Sequence, residues 1–349
     1  MSLATGAYEE HGCTVSRLQG TRERKGGAMD TVLVTGGAGF IGSNIAEALL
    51  ERGCRVVILD DLSTGKMENI VNLGEKGSYK FIKGNILDSG LLASIIQAEN
   101  IMAISHQAAV SSVSKSIADP VHTMQTNVAG TANLFHVAAA NGCKRIVYAS
   151  SSSVYGDTPE LPKRETMPLS PQSPYAMSKA AKELLSTVYS HLYGMEIVGL
   201  RYFNVYGRKQ DPASDYAAVI PKFIANALAN EPIPIDGDGC QTRDFIYIDD
   251  VVQANVKALT SSVNHGAVFN IAYGEQTSIL ELATMVLDLT GSDSEVVFRP
   301  ARDGDVRDSV GDVTYASQQL GYSREYDIRK GLAETIPWYQ ERRVRRCAA

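Results

Sequence analysis

From Thr31 onward, short apolar runs alternate with stretches whose apolar residues recur at helical spacing. Val32, Leu33 and Val34 form a run of the kind buried on both faces of a parallel sheet. Ile45, Ala48 and Leu49 then keep helical spacing, with the helix opening near Phe40 and stopping at Gly53. Strands are predicted at 56–59, 79–82 and 101–105, with a polar helix reaching about Leu73 and an apolar one marked by Leu91, Leu92, Ile95 and Ile96. That strict alternation predicts an α/β fold with a doubly wound parallel (Rossmann) sheet, its ligand beyond the carboxyl ends of the strands.

Beyond it, residues 120–141 read as one long helix ended by Gly142, and 145–149 as a strand running into SSSSVYGD. A helix begins near Ser173 and a strand covers 196–201. From about Asn204 the elements become short. Helices are predicted at 216–230, from an Asp249 cap to about Leu259, and at 278–289; strands at 232–235, 245–248, 268–271 and 296–299; and a helical tail carries Trp338. The expected division is a disordered leader at 1–29, a dinucleotide-binding domain at 30–203 to which 237–275 partly returns, and a smaller substrate-binding α/β lobe at 204–349.

Composition narrows the functional classes. A net charge of −6 over 349 residues gives no general attraction to nucleic acid or an anionic membrane, so an anionic ligand must be met by local cations. No apolar run approaches the roughly 18 residues that span a bilayer. Cys13, Cys54, Cys143, Cys240 and Cys347 are scattered and odd in number, without metal spacing, which suits a reducing cytoplasm. Residues 1–29 lack the apolar stretch of a secretory signal.

Chemistry concentrates at three places. Gly36, Gly37, Gly39 and Gly42 follow the first strand, where glycine lets the chain turn tightly and lets a diphosphate approach without meeting a Cβ, at the positive end of the next helix. The second strand ends in Asp60 and Asp61, placed to accept ribose hydroxyls of NAD and to repel the extra phosphate of NADP. Tyr175 and Lys179 lie four apart on one helix and share a face. A cation about 4 Å from a phenol at an effective dielectric near 20 is worth about 4 kcal/mol, or about three pKa units, enough to make a tyrosine a working base. Ser151, on the strand end before that helix, supplies a hydroxyl for the reacting oxygen.

TGGAGFIGS, SPYAMSK with Tyr175 and Lys179, and the serines before VYG together resemble the extended short-chain dehydrogenase/reductases that modify nucleotide sugars, over about 31–309. RYFNVYGRKQDP, YAAVIPKFI and DGDGCQTRDFIYIDD make the chain most similar to the UDP-N-acetylglucosamine 4-epimerases within that family. The resemblance implies NAD against Gly36, Gly39, Phe40 and Ile41, the loop of Asp60, Asp61, Leu62, Thr64 and Gly65, and Asn85, Ile86, Gln107, Ala108, Ala109, Ser150, Tyr175, Lys179, Tyr202 and Val205. It implies Ser151, Tyr175 and Lys179 as the catalytic set. A UDP-sugar is expected against Ser111, Ser151, Ser152, Tyr175, Asn204, Tyr216, Ala218, Val219, Lys222, Arg243, Arg302, Asp305 and Ser309, with the two arginines neutralising the diphosphate. Related 4,6-dehydratases carry an Asp-Glu pair where this chain has Ser152 and Ser153, so dehydration is disfavoured. The small Ser309 leaves room for an N-acetyl group, and Asn85 departs from the usual aspartate near the adenine. A uronate or plain UDP-glucose 4-epimerase and a non-catalytic NAD-sensing regulator stay open as alternatives. The resemblance also implies a homodimer through the helices that start at Pro120 and near Ser173.

Overall fold

The computed structural model describes residues 31–212, 218–262, 266–301 and 307–348, with side chains in the last helix described to 343. The expected leader therefore lies outside the described residues, as do Tyr216, Arg302 and Asp305. Seven described strands form one parallel sheet: β1 (Thr31–Thr35), β2 (Arg55–Asp60), β3 (Tyr79–Lys83), β4 (Ala103–His106), β5 (Arg145–Ser151), β6 (Glu196–Tyr202) and, after the short β7 (Asn204–Tyr206), β8 (Ile233–Asp236), β9 (Thr242–Arg243) and β10 (Phe245–Tyr247), the strand β11 (Val268–Ile271). Their order is β3-β2-β1-β4-β5-β6-β11. The chain therefore reverses direction between β1 and β4, and the crevice at such a reversal is where doubly wound sheets bind ligands.

Side-chain alternation along β1 explains why both faces are covered. Val32 and Val34 belong to one core with Ile45 and Leu49 of helix α1 (Phe40–Glu51), whereas Leu33 joins Leu92, Ile95, Leu134 and Ile146 on the other face. Helices α2 (Ser89–Ala98), α3 (Val113–Ala118), α4 (Pro120–Met124), α5 (Gly130–Ala140) and α6 (Pro174–Tyr193) follow in order. The predicted 120–141 helix is continuous but changes pitch, because a π segment, Gln125–Ala129, separates α4 from α5. The predicted polar helix near Leu73 is instead two 3-10 turns, Met67–Asn69 and Val71–Glu75, held to the glycine turn by Asn69, whose amide donates to the carbonyl oxygen of Ala38.

The second half adds α7 (Val219–Ala229), α8 (Ile248–Thr260), β12 (Thr277–Ser278), α9 (Ile279–Thr290), β13 (Val296–Arg299), α10 (Thr314–Leu320) and α11 (Ile328–Ala348). Its core is continuous with that of the sheet, running from Val147 and Val251 to Phe223 and Leu282. Asp249 is not the cap of α8: the helix starts one residue earlier, with Tyr247 at the cap position. Asp249 and Asp250 lie in the first turn, where acids complement the helix dipole, and Asp249 pairs with Arg208 at 2.6 Å. Ser278 does cap α9, through a capping box with Glu281.

One buried ion pair fastens α6 to the sheet. Arg201 of β6 reaches Glu183 of α6 through two parallel contacts, Nε to Oε1 at 2.9 Å and Nη2 to Oε2 at 2.7 Å. Ser150 donates to the same carboxylate at 2.6 Å, and Arg201 also donates to the Tyr155 hydroxyl, which in turn donates to Asn270 of β11. Removing one partner of such a pair leaves the other charge buried and alone, a loss of about 3–5 kcal/mol. We expect Arg201→Leu to lose that much in urea unfolding; a loss below about 1 kcal/mol would show that water reaches Glu183.

Candidate active site

The glycine turn after β1 and the 107–109 segment after β4 meet at the sheet's reversal point. A Cβ on Gly36, whose φ is +67°, would lie 2.6 Å from the backbone nitrogen of Ala108, and one on Gly42 would lie 2.2 Å from the carbonyl oxygen of Gly36. Only bare backbone fits there, which is the cradle a diphosphate needs at the start of α1, where Phe40 and Ile41 form the first turn. Asp60, at the end of β2, accepts from the backbone N–H groups of Ala38 (2.9 Å) and Leu62 (2.8 Å). Burial raises its pKa above the ordinary carboxylate value while those two donors pull it back. Asp60 thus also splints the turn, and Leu62 takes a left-handed conformation (φ 63°) over it. A Cβ on Gly65 would run into the same carboxylate, which places Gly65 against Asp60, while the preceding Thr64 is exposed.

Asn85 and Ile86 follow β3. The Asn85 amide donates to Asp61 at 3.0 Å. An aspartate at 85 would set two carboxylates against each other, so Asn85 and Asp61 form a matched pair. Gln107 and Tyr202 are held by one residue of α8: Asn255 accepts from the Gln107 amide at 3.2 Å and from the Tyr202 hydroxyl at 3.0 Å.

Ser151 is the last residue of β5 and pairs in register with Tyr202 of β6. Tyr175 sits in the first turn of α6, which is started by a Ser173 cap on the Ala176 N–H (3.1 Å) and by Pro174. The Ser151 side chain hydrogen-bonds the Tyr175 hydroxyl and favours its ionised form; burial is the larger influence and raises the phenol's pKa. Lys179 Nζ lies 5.4 Å from the centre of the Tyr175 ring and donates to the carbonyl oxygen of Ala149 at 2.9 Å. Burial brings its amine down to about 8. Serine, phenol and amine are therefore in one place, as their spacing predicts.

A cavity of about 390 Å³ lies past the end of β6, lined by Asn204, Ala218, Val219, Lys222 and Arg243 among others and by none of Ser151, Tyr175 and Lys179. Asn204 is two residues past Tyr202, so the cavity begins at the end of the strand that pairs with Ser151. Ser152 lies in the short turn after β5, while Ser111 is exposed before α3 and Ser309 is half-buried beside Gly311; neither lines this cavity. Arg243 faces it with its guanidinium on the carbonyl oxygens of Thr242 (2.8 Å) and Arg307 (3.1 Å).

Sequence reading missed the residues that hold these groups. Asn127, in the π segment, accepts from the Val110 N–H (2.8 Å), donates to the Val110 carbonyl oxygen (3.0 Å) and donates to Ser178 of α6 (2.9 Å). Ser116 accepts from the Tyr175 N–H at 3.0 Å. Buried Asp244 accepts from the N–H groups of Tyr273, Gly274 and Gly311, and its carbonyl oxygen accepts from Asn204. Burial pushes the Asp244 carboxyl up to about 6 against those donors. The available signal was polar residues inside otherwise apolar helical or strand patterns, which periodicity alone cannot assign.

The NAD dependent epimerase/dehydratase family matches residues 32–272. A UDP-glucose 4-epimerase of Mycolicibacterium smegmatis is 38% identical over 311 residues, 89% of this chain and 98% of that one. A solved UDP-glucose 4-epimerase with UDP-glucose from Thermotoga maritima is 35% identical with a TM-score of 0.85, covering 89% of this chain and 99% of that one. A UDP-N-acetylglucosamine 4-epimerase from Methanobrevibacter ruminantium in complex with UDP-N-acetylmuramic acid has the same TM-score, 38% identity and coverage of 90% and 100%. Because a methyl at position 42 would collide with backbone, Gly42→Ala is expected to purify folded but with NAD content reduced at least about tenfold, read by cofactor absorbance after denaturation; full occupancy would remove the cradle from the account. With the glycine cradle, the Ser-Tyr-Lys group and a match over most of its length, this chain belongs to the NAD dependent epimerase/dehydratase family.

Proposed function

We propose that the protein inverts carbon 4 of a UDP-N-acetylhexosamine, interconverting UDP-GlcNAc and UDP-GalNAc through a transient 4-keto sugar. The observation that carries this is the meeting of Ser151, Tyr175 and Lys179; a cavity lined by Asn204, Lys222 and Arg243 begins past the end of the strand that pairs with Ser151. Bound NAD supplies a reversible hydride acceptor, so no net oxidation occurs. Tyr175 takes the proton of the 4-hydroxyl, Ser151 bridges phenol and sugar oxygen, and the Lys179 charge favours the phenolate. Since burial alone raises the Tyr175 pKa, cationic charge around the phenol is what makes it a base at neutral pH. Asn204, Lys222 and Arg243 hold the uridylate end, leaving the sugar free to turn and present its other face.

Ser152 and Ser153 offer no carboxylic acid to drive loss of water, which favours epimerisation over dehydration. The likeness to the Methanobrevibacter enzyme supports an N-acetyl sugar. The likeness to the Thermotoga enzyme supports UDP-glucose as the second reading. Incubation with UDP-GlcNAc, its uronate and UDP-glucose, each followed by NMR, separates them. Epimer formed from UDP-glucose alone would overturn the N-acetyl assignment. Tyr175→Phe is expected to slow turnover by about 10²–10⁴-fold with UDP affinity retained, and unchanged turnover would remove Tyr175 from the base role.

We also infer a homodimer. Leu184, Val188 and Leu192 form an exposed apolar stripe on α6, next to exposed Ile117 and Val121. Light scattering should give twice the chain mass for the wild type and the chain mass for Leu184→Glu/Leu192→Glu; a monomeric wild type would refute the stripe as an interface.

A further inference from the structure

Lys182, three residues past Lys179 on α6, is fully buried and has no part in the mechanism above. Its Nζ lies 3.4 Å from Nε2 of His106 and 3.5 Å from the carbonyl oxygen of Ala108. Counting protons around His106 decides what Lys182 can be. The hydroxyl of Thr131 is 2.6 Å from the carbonyl oxygen of Asn127, which only accepts, so the single hydroxyl proton points there. The same hydroxyl oxygen is 2.9 Å from His106 Nε2, a hydrogen bond only if Nε2 carries a proton. In the neutral ring that burial favours, Nδ1 accepts from the Thr35 hydroxyl at 2.7 Å. The imidazole is neutral, in the direction that burial drives it.

An ammonium at Lys182 would therefore point an N–H at an N–H and keep one long contact, to Ala108, for three protons. The ionisable groups around it give no relief. His106 faces it from β4, Lys179 on its own helix acts on it with like charge, and the neighbouring Glu183 is engaged by Ser150 and Arg201. From β5 the Tyr148 hydroxyl is paired with Ser186, and α5 presents Thr131. Burial and the Lys179 charge both drive the Lys182 amine well below its ordinary value.

We propose that Lys182 is an uncharged amine at working pH and a positioning residue: its lone pair faces His106 Nε2–H as the longer, weaker arm of a hydrogen bond whose main acceptor is Thr131, and its neutrality leaves the positive charge to Lys179 behind Tyr175. The role attached to Lys179 rests on the function proposed above. Protonation of Lys182 breaks the ordered chain from Thr35 through His106 and Thr131 to Asn127. It also sets a second cation below the cofactor segment, against Lys179 and against an oxidised nicotinamide ring more than a reduced one. Acid should therefore loosen the oxidised cofactor through Lys182.

The test is to take the holoenzyme from about pH 8 to about pH 5 and measure oxidised and reduced cofactor retained after gel filtration, for wild type and Lys182→Met. The wild type is expected to release oxidised cofactor at a pH about one unit higher than Lys182→Met, with a smaller difference for reduced cofactor. Identical release curves overturn the proposal. If Lys182→Met does not fold, wild-type protein labelled with ¹³C at lysine Cε decides: a Cε signal of a neutral amine at pH 7 supports the proposal, and ammonium signals alone overturn it. Neither readout uses a sugar, so failure of the epimerase reading is seen separately, as absence of turnover with cofactor release behaving as stated.

Discussion

A carboxylate and a guanidinium sealed from water, Glu183 against Arg201, fix where α6 lies on the sheet. The pair ties together the helix that carries Tyr175 and Lys179, the strand end that carries Ser150 and Ser151, and the strand that leads to the cavity lined by Asn204 and Arg243. Its worth lies less in net stability than in geometry, since a buried charge without its partner is so costly that alternative placements of the helix are excluded. The serine and the phenol come from different elements, and a hydrogen bond between them tolerates little sliding.

A second device of the same kind orders the surroundings of that cavity. Among the described residues no cation hydrogen-bonds Asp244; its carboxylate accepts from three backbone N–H groups on two loops. Those loops and the adjoining strands carry Arg243 and Asn204 into the cavity. Asn127 acts likewise on the cofactor side, joining the 108–110 segment to Ser178 of α6. The groups of the site are thus presented by strand ends and loops, and polar residues buried between elements keep them in place.

Much of this was legible in the sequence. The glycines, the acid at the end of β2 and the Tyr175-Lys179 spacing are local patterns, because a turn, a strand end and a helix face are each settled within a few residues. Boundaries were less legible: the π segment inside the 120–141 helix and the start of α8 at Ile248 rather than at an Asp249 cap follow from tertiary partners. Asn85, a departure from the usual aspartate in the sequence, is in the fold a donor matched to Asp61.

The sequence by itself determined the alternating α/β fold, the cofactor turn and the candidate catalytic trio, since these are written in periods of two and 3.6 and in residues with special backbone or acid-base properties. Only the tertiary structure decided which buried polar groups meet: Glu183 with Arg201, Asp244 with three N–H groups, Asn127 with Val110, and Lys182 with His106. These partners are far apart in the chain, and a polar residue needs its partner only after burial has removed water; no local pattern along the chain can name it.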